Sequence, residues 1–248
     1  MAIKTAVILA AGLGSRLKDR TKTKPKGFVE IDNKAIVERS IEKLINAGIT
    51  TIIIGTGYLS EHYDRLKDKY PQIITCRSSK YAETGSMFTL YNLRELVKED
   101  FLLLESDLLY DRKGLKELID DARPDIILAS GKTGSNDEVY IEADNNHNLV
   151  NMSKKADDLA QIIGELVGIS KISMPTFGKM LAYAETQFEH GGNQFHYEND
   201  FVGISVGTKI YVKKIENYSW CEIDDEDHLN RALTLVYPRI IEAESLDE

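Results

Sequence analysis

Short apolar runs of strand length alternate along this chain with stretches whose apolar residues recur every three or four positions. The runs are Ala6-Val7-Ile8-Leu9-Ala10, the segment 49–55, Ile73-Ile74-Thr75-Cys76, Phe101-Leu102-Leu103-Leu104 and the segment 125–130. Their continuous apolarity fits strands covered on both faces. Ile36, Val37, Ile41, Leu44 and Ile45 form a helical stripe over 34–47, which stops at Gly48. Ser60 opens a helix to Tyr70 ahead of Pro71, and another spans 88–97 with Thr84 or Ser86 available as its N-cap. This repetition of strand, loop and helix predicts an α/β fold with a mainly parallel sheet flanked by helices. In such sheets ligands lie beyond the carboxyl ends of the strands.

The pattern changes after Ser130. Alternation over Val139-Tyr140-Ile141-Glu142-Ala143, the polar turn 144–148 and Leu149-Val150-Asn151-Met152 predict an antiparallel hairpin added to the parallel core. An apolar segment at 162–172 is interrupted by Gly164-Glu165, a helix spans 175–188, and 189–193 is a glycine-containing loop. Residues 197–205 read equally as helix or strand. Strands at 209–212 and 218–223 precede an amphipathic helix over 225–237. No repeat or linker divides the chain, so 1–248 reads as one domain, with 242–248 a polar tail or a linker.

Composition narrows the functional classes. Forty Asp plus Glu against thirty-one Lys plus Arg give a net charge of -9, which argues against a general nucleic-acid surface. No apolar run has the roughly 20 residues of a membrane span, and the N-terminus lacks the pattern of a secretory signal, so a cytoplasmic protein is expected. Cys76 and Cys221 are too few for a disulfide framework. His62, His147, His190, His196 and His228 show no metal-ligand spacing.

Against that acidic background the first loop stands out. Strand 6–10 discharges into Gly12-Leu13-Gly14-Ser15-Arg16, and Arg16, Lys18, Arg20, Lys22, Lys24 and Lys26 fall within eleven residues. Glycines that admit backbone N–H groups, with cations beside them, suit a phosphate. The dinucleotide fingerprint fails because Leu17 stands where a third small residue is needed. A Walker A loop fails because Ile126 stands where Gly131-Lys132-Thr133 would need glycine. Two acidic clusters complete the chemistry: Glu105-Ser106-Asp107 at a strand end, and Glu222-Ile223-Asp224, whose two carboxylates share one side of an extended strand. Mg²⁺ bound to a triphosphate calls for only one or two such carboxylates.

Leu9-Ala10-Ala11-Gly12-Leu13-Gly14-Ser15-Arg16-Leu17, Pro25-Lys26, Asp107 and Glu222-Ile223-Asp224 together resemble the cytidylyltransferases of the phosphocholine and 2-aminoethylphosphonate group. Thr84-Gly85-Ser86-Met87, Ser130-Gly131-Lys132, Asp137-Glu138-Val139-Tyr140 and the segment 164–168 look closer to the aminoethylphosphonate branch. The resemblance implies a Rossmann-like mixed sheet of the nucleotide-diphospho-sugar transferase type, with about 131–215 forming the acceptor side. It implies that Leu9, Ala10, Ala11, Gly12, Gly14 and Ser15 bind CTP, that Thr84, Gly85 and Ser86 lie by the cytosine, and that Arg16 and Lys26 hold phosphates. Asp107 and Asp224, joined by Glu222, would hold Mg²⁺. Lys154, or its neighbour Lys155, would meet the acceptor's anionic group. Glu165, Tyr197 and Glu198 are candidates for an acceptor ammonium. The expected reaction is CMP transfer from CTP to 2-aminoethylphosphonate. Phosphocholine, then a sugar 1-phosphate, are alternative acceptors, and a non-catalytic nucleotide-binding regulatory module is the alternative of a different class. The expected partners are small molecules, with no nucleic acid or membrane; a homodimer is left open.

Overall fold

The computed structural model of the chain describes residues 3–246. From β1 (Thr5–Ala10) the chain passes through the glycine loop to a small ladder of β2 (Glu30–Ile31) and β3 (Lys34–Ala35). Asp32 and Asn33 turn this ladder with φ of 49° and 57°. That geometry suits a two-residue hairpin, so α1 (Ile36–Asn46) starts two residues later than its apolar stripe predicts. β4 (Thr51–Thr56), α2 (Glu61–Arg65), β5 (Ile73–Arg77), α3 (Ser86–Asn92), β6 (Phe101–Glu105), β7 (Leu108–Tyr110), α4 (Lys113–Asp120) and β8 (Ile126–Ser130) follow. The helix expected to reach Tyr70 ends at Arg65 and tightens over Leu66–Asp68, while α3 stops at Asn92 rather than Val97.

The hairpin of β9 (Tyr140–Ala143) and β10 (Leu149–Ser153) forms as predicted. β11 (Gly164–Ile172) is followed by α5 (Met174–Glu189), capped by Ser173, whose Oγ accepts from Thr176 N. The ambiguous segment is helical, α6 (Tyr197–Ser205). β12 (Tyr211–Ile215) lies downstream of its expected position, and β13 (Trp220–Glu222) precedes α7 (Glu226–Arg231).

Nine strands make one sheet along the path β10-β9-β11-β6-β1-β4-β5, with β8 beside β11 and β12 beside β8. β1 is parallel to both β4 and β6, β4 to β5, and β8 to β12. β11 enters antiparallel to β6, β8 and β9, so the sheet is mixed where the strand-helix repeat predicts parallel pairing. No crossover helix precedes β11: the chain reaches it from the hairpin through a loop, and the strand is buried along its whole length.

Both faces of the sheet are packed, one by Ile8, Ile41, Leu44 and Ile54, the other by Val7, Leu90, Phe177 and Phe201. Each such fully buried side chain contributes about 1.5–3 kcal/mol. A smaller core of Leu17, Ile31, Ile36, Ile223 and Ile240 fixes the first loop against the C-terminal helices. Those helices run on from α7 through a π-turn (Ala232–Val236) into α8 (Tyr237–Leu246), beyond the expected end at Tyr237. The expected loose tail is docked instead, because Glu244 accepts from the Lys43 ammonium and from Arg112 N at 2.9 Å. Residues 247–248 of that tail lie outside the described residues.

Candidate active site

The first loop is shaped by steric necessity at two glycines. Gly14 has φ of 62°, and a Cβ there would sit 3.1 Å from Thr21 Cγ2 and 3.2 Å from Lys26 Cβ. A Cβ on Gly27 would come within 2.9 Å of the Tyr63 hydroxyl and 3.0 Å of Ser106 O. The chain can therefore fold back tightly enough to bring Lys26 under the carboxyl ends of β1 and β6. Leu9 to Arg16 and Lys26 line a cleft of about 470 Å³, with Thr84, Gly85 and Ser86 on its opposite side.

That opposite side is held without the expected cap. Gly85, not Thr84 or Ser86, occupies the N-cap position of α3, and no side chain caps it. Thr84 donates to Lys80 O at 2.8 Å, while Ser86 Oγ meets His196 Nδ1 at 3.2 Å and accepts from Tyr197 N at 3.2 Å. Gly85 N donates to Asn193 O at 2.8 Å, and a Cβ at Gly85 would be 2.2 Å from Phe195 O. The 193–196 loop is thus stitched onto this wall of the cleft, adding Gln194 and His196 to its lining.

An antiparallel ladder assembles the carboxylates. β13 pairs with β7, setting Glu222 opposite Leu108, and Ile223 N donates to Asp107 O at 3.1 Å. Glu105, Asp107 and Glu222 then offer oxygens within 4.8 Å of one another, a donor set suited to a hard divalent cation such as Mg²⁺. Asp224, expected among the metal ligands, stands beside this set and pairs with the Lys26 ammonium and with Arg16 Nη2, the latter at 2.8 Å. Lys26 also contacts Asp107 and lies 3.4 Å from Glu222.

The electrostatics follow from this crowding. Burial by itself would lower the Lys26 pKa, but Asp107, Glu222 and Asp224 outweigh it and hold the ammonium well above its usual range. Burial, reinforced by Asp107, pushes the Glu222 carboxyl up to about 8 against the pull of Lys26. Burial likewise raises Glu105 far above the carboxylate range, with Glu222, Glu198 and Asp107 adding to it. Asp224 is lowered: burial opposes its ionisation, but Lys26 and Arg16 prevail. A divalent cation among Glu105, Asp107 and Glu222 would relieve their mutual repulsion, so these residues fit one.

A second, smaller cavity of about 100 Å³ shares Arg16, Glu105, Glu198, Glu222 and Asp224 with the cleft. Room for Glu105 is made by β11. Its register with β8 shifts between Leu166 and Ser170, and Gly168, at φ 81°, would carry a Cβ 3.1 Å from Glu105 Oε2. Lys154 lines this cavity and Lys155 does not. Asp137 bridges the two sides, accepting from Lys154 Nζ at 2.6 Å through one oxygen and from Arg16 Nη1 at 2.7 Å through the other. Glu198 also lines it, with Oε2 buried and lacking a hydrogen-bond partner. Two expected acceptor residues stand behind the lining. Glu165 accepts from Thr133 N at 2.8 Å, and Tyr197 is buried against Glu105; neither lines a cavity here.

Sequence reasoning names Glu105 in the first acidic cluster without assigning it as a ligand, and gives Asp137 no role at the site. Glu105 carried a usable signal, since it ends the same strand that presents Asp107. Asp137 carried no positional signal, because it sits in an irregular loop where no periodicity fixes direction.

Residues 5–157 match a family model described as nucleotidyl transferase. A CTP:phosphoglutamine cytidylyltransferase of Campylobacter jejuni is 26% identical over 242 residues, covering 88% of this chain and 95% of the relative. A choline-phosphate cytidylyltransferase of Streptococcus pneumoniae is 28% identical, covering 88% and 92%, and a 2-aminoethylphosphonate cytidylyltransferase of Lancefieldella rimae is 24% identical, covering 88% and 87%. The solved structure of a CTP:phosphocholine cytidylyltransferase from Streptococcus pneumoniae superposes with a TM-score of 0.79 at 24% identity, over 93% of this chain and 97% of that one. That likeness bears on the fold, which is the Rossmann-like mixed sheet described above.

Proposed function

This chain belongs to the nucleotidyl transferase family, and from that premise we propose that it transfers CMP from CTP to 2-aminoethylphosphonate, releasing pyrophosphate in a Mg²⁺-dependent reaction. One observation carries the reading: a cationic glycine loop and a carboxylate cluster share walls with a small cavity bearing both Lys154 and Glu198. The first two suit a nucleoside triphosphate. The third suits a small zwitterion.

In the proposed reaction the CTP triphosphate lies along the loop 9–16, with the base toward Thr84, Gly85 and Ser86. Lys154 and Arg16 receive the acceptor's phosphonate, whose oxygen attacks the α-phosphorus. The bond from that phosphorus to the bridging oxygen breaks, and pyrophosphate departs along Arg16 and Lys26. An ionised phosphonate needs no general base, so positioning and charge neutralisation supply the catalysis. Glu105, Asp107 and Glu222 would hold Mg²⁺, which supplies neutralisation of phosphate oxygens when bound. Arg16 and Lys26, already held close to Asp224 and Asp107, need only turn from carboxylate to phosphate.

Choice of nucleotide rests on the three relatives described above, each of which carries a cytidylyltransferase name. Choice of acceptor rests on the cavity. Glu198, with an oxygen free of partners, suits a primary ammonium that donates hydrogen bonds. Trp220 also lines the cavity and favours the second reading, phosphocholine, whose quaternary group binds aromatic faces. Pyrophosphate release from CTP, UTP, GTP and ATP, each with 2-aminoethylphosphonate, phosphocholine and glucose 1-phosphate, tests both choices. Turnover restricted to CTP with the aminophosphonate is expected; equal turnover of phosphocholine removes the acceptor assignment, and silence with every pair favours a non-catalytic binding module.

A further inference from the structure

Behind the acceptor cavity, across a wall of Thr133, Trp220 and Arg231, lies another recess of about 540 Å³. We propose that it is a second anion site, for a small molecule carrying a phosphate or diphosphate group, separate from the reaction cleft. The proposal does not depend on the identity of the acceptor.

The C-terminal helix supplies the first argument. Arg231 and Arg239 both line the recess. At a separation of eight residues they would diverge by about 80° around an uninterrupted α-helix. The π-turn at Ala232–Val236 lies between them and absorbs one residue, so the effective spacing of seven brings them within about 20° of alignment. A π-turn is rare, and here it has a definite result: two guanidinium groups on one wall.

Charge balance supplies the second. Lys132 adds a third cation, and neither Lys132 nor Arg239 forms an ion pair among the described residues. The one carboxylate in the lining, Glu216, is engaged by Lys214 at 2.7 Å. Arg231 donates only to Thr133 O, at 3.1 Å, among the hydrogen bonds of its side chain. Thr133 Oγ1, in the shared wall, is buried and lies beside the Glu165 carboxylate. Three cations around an open recess match the donors an oxyanion needs.

The test is calorimetric titration of inorganic pyrophosphate into the wild-type protein, the double variant Lys132→Gln/Arg239→Gln, and Arg16→Ala. Lys132 and Arg239 are exposed, so the double variant should keep its fold and its turnover without added pyrophosphate. It should bind one pyrophosphate fewer per chain than wild type, or bind one at least tenfold more weakly. Arg16→Ala should lose a different site, that of the cleft, and a failure confined to that variant counts against the cleft assignment alone. Equal stoichiometry and affinity in wild type and the double variant would overturn the second site, as would a wild-type protein that binds no pyrophosphate.

Discussion

Tyr197 donates its phenolic hydrogen to Glu105 Oε1 at 2.7 Å, tying the first turn of α6 to the carboxyl end of β6. Tyr197 is buried and Glu105 half-buried, and this hydrogen bond favours the ionised form of a carboxyl that desolvation and Glu222 drive toward neutrality. Tyr197→Phe should cost about 1 kcal/mol of stability. It should also raise the Mg²⁺ concentration needed for half-maximal turnover several-fold, because a protonated Glu105 is a poor cation ligand. A Mg²⁺ titration that matches wild type would show that the bond serves packing alone.

Lys154 and Lys155 are separable by position. Lys154 reaches Asp137 in the acceptor cavity, whereas Lys155 is exposed outside it. Lys154→Ala should raise the acceptor KM about tenfold, the loss of one charge-assisted contact, and leave the CTP KM within about twofold. Lys155→Ala should change neither. Initial rates with each substrate varied in turn distinguish them, and a larger effect at Lys155 would reverse the assignment.

Asp107 is central to the carboxylate cluster. Asp107→Asn should lower kcat by at least about 100-fold, since it removes charge where phosphate charge must be neutralised. The fold should persist, because Lys26 keeps Asp224 and Glu222 as partners. Pyrophosphate release and a thermal melt on the same preparation check both halves; wild-type turnover is the outcome that removes Asp107 from the chemistry.

Asp200 predicts a pH dependence unrelated to catalysis. Neither of its carboxylate oxygens has a hydrogen-bond partner, and burial pushes its pKa up to about 8. An unfolded Asp titrates near about 3.9. Between these values the folded chain holds a proton that the unfolded chain lacks, so this residue's contribution is complete below about pH 4 and is lost as pH rises through about 8. Asp200→Asn should therefore be stabilising relative to wild type, by a margin that grows from pH 4 to pH 8 toward a few kcal/mol. Melting curves across that range measure the margin; a constant difference would mean that Asp200 does not titrate as argued.

The sheet strands were legible because burial on both faces leaves uninterrupted apolar runs, as at Ala6–Ala10 and Phe101–Leu104. The segment at Tyr197 was not, since its apolar residues fit two periods and its helix is selected by packing against α5 and β10. The direction of β11 was equally hidden: a strand buried on both faces has the same composition whichever way it runs. Glu165 misled for a related reason. An acid within an apolar strand invites a ligand reading, but here it is satisfied by one backbone N–H of a neighbouring loop.

By itself the sequence determined the glycine loop with its cations, the strand that presents Asp107 and the acidic segment ahead of the last helices, because each is a local pattern of residue types. Only the tertiary structure decided how these meet. The β7–β13 ladder brings Glu222 to Glu105 and Asp107, and Asp137 joins Arg16 to Lys154 across two loops. Hydrogen bonding between distant strands and ion pairing between loops leave no periodic trace in the chain, so the residues that complete the site become visible only once the backbone has closed.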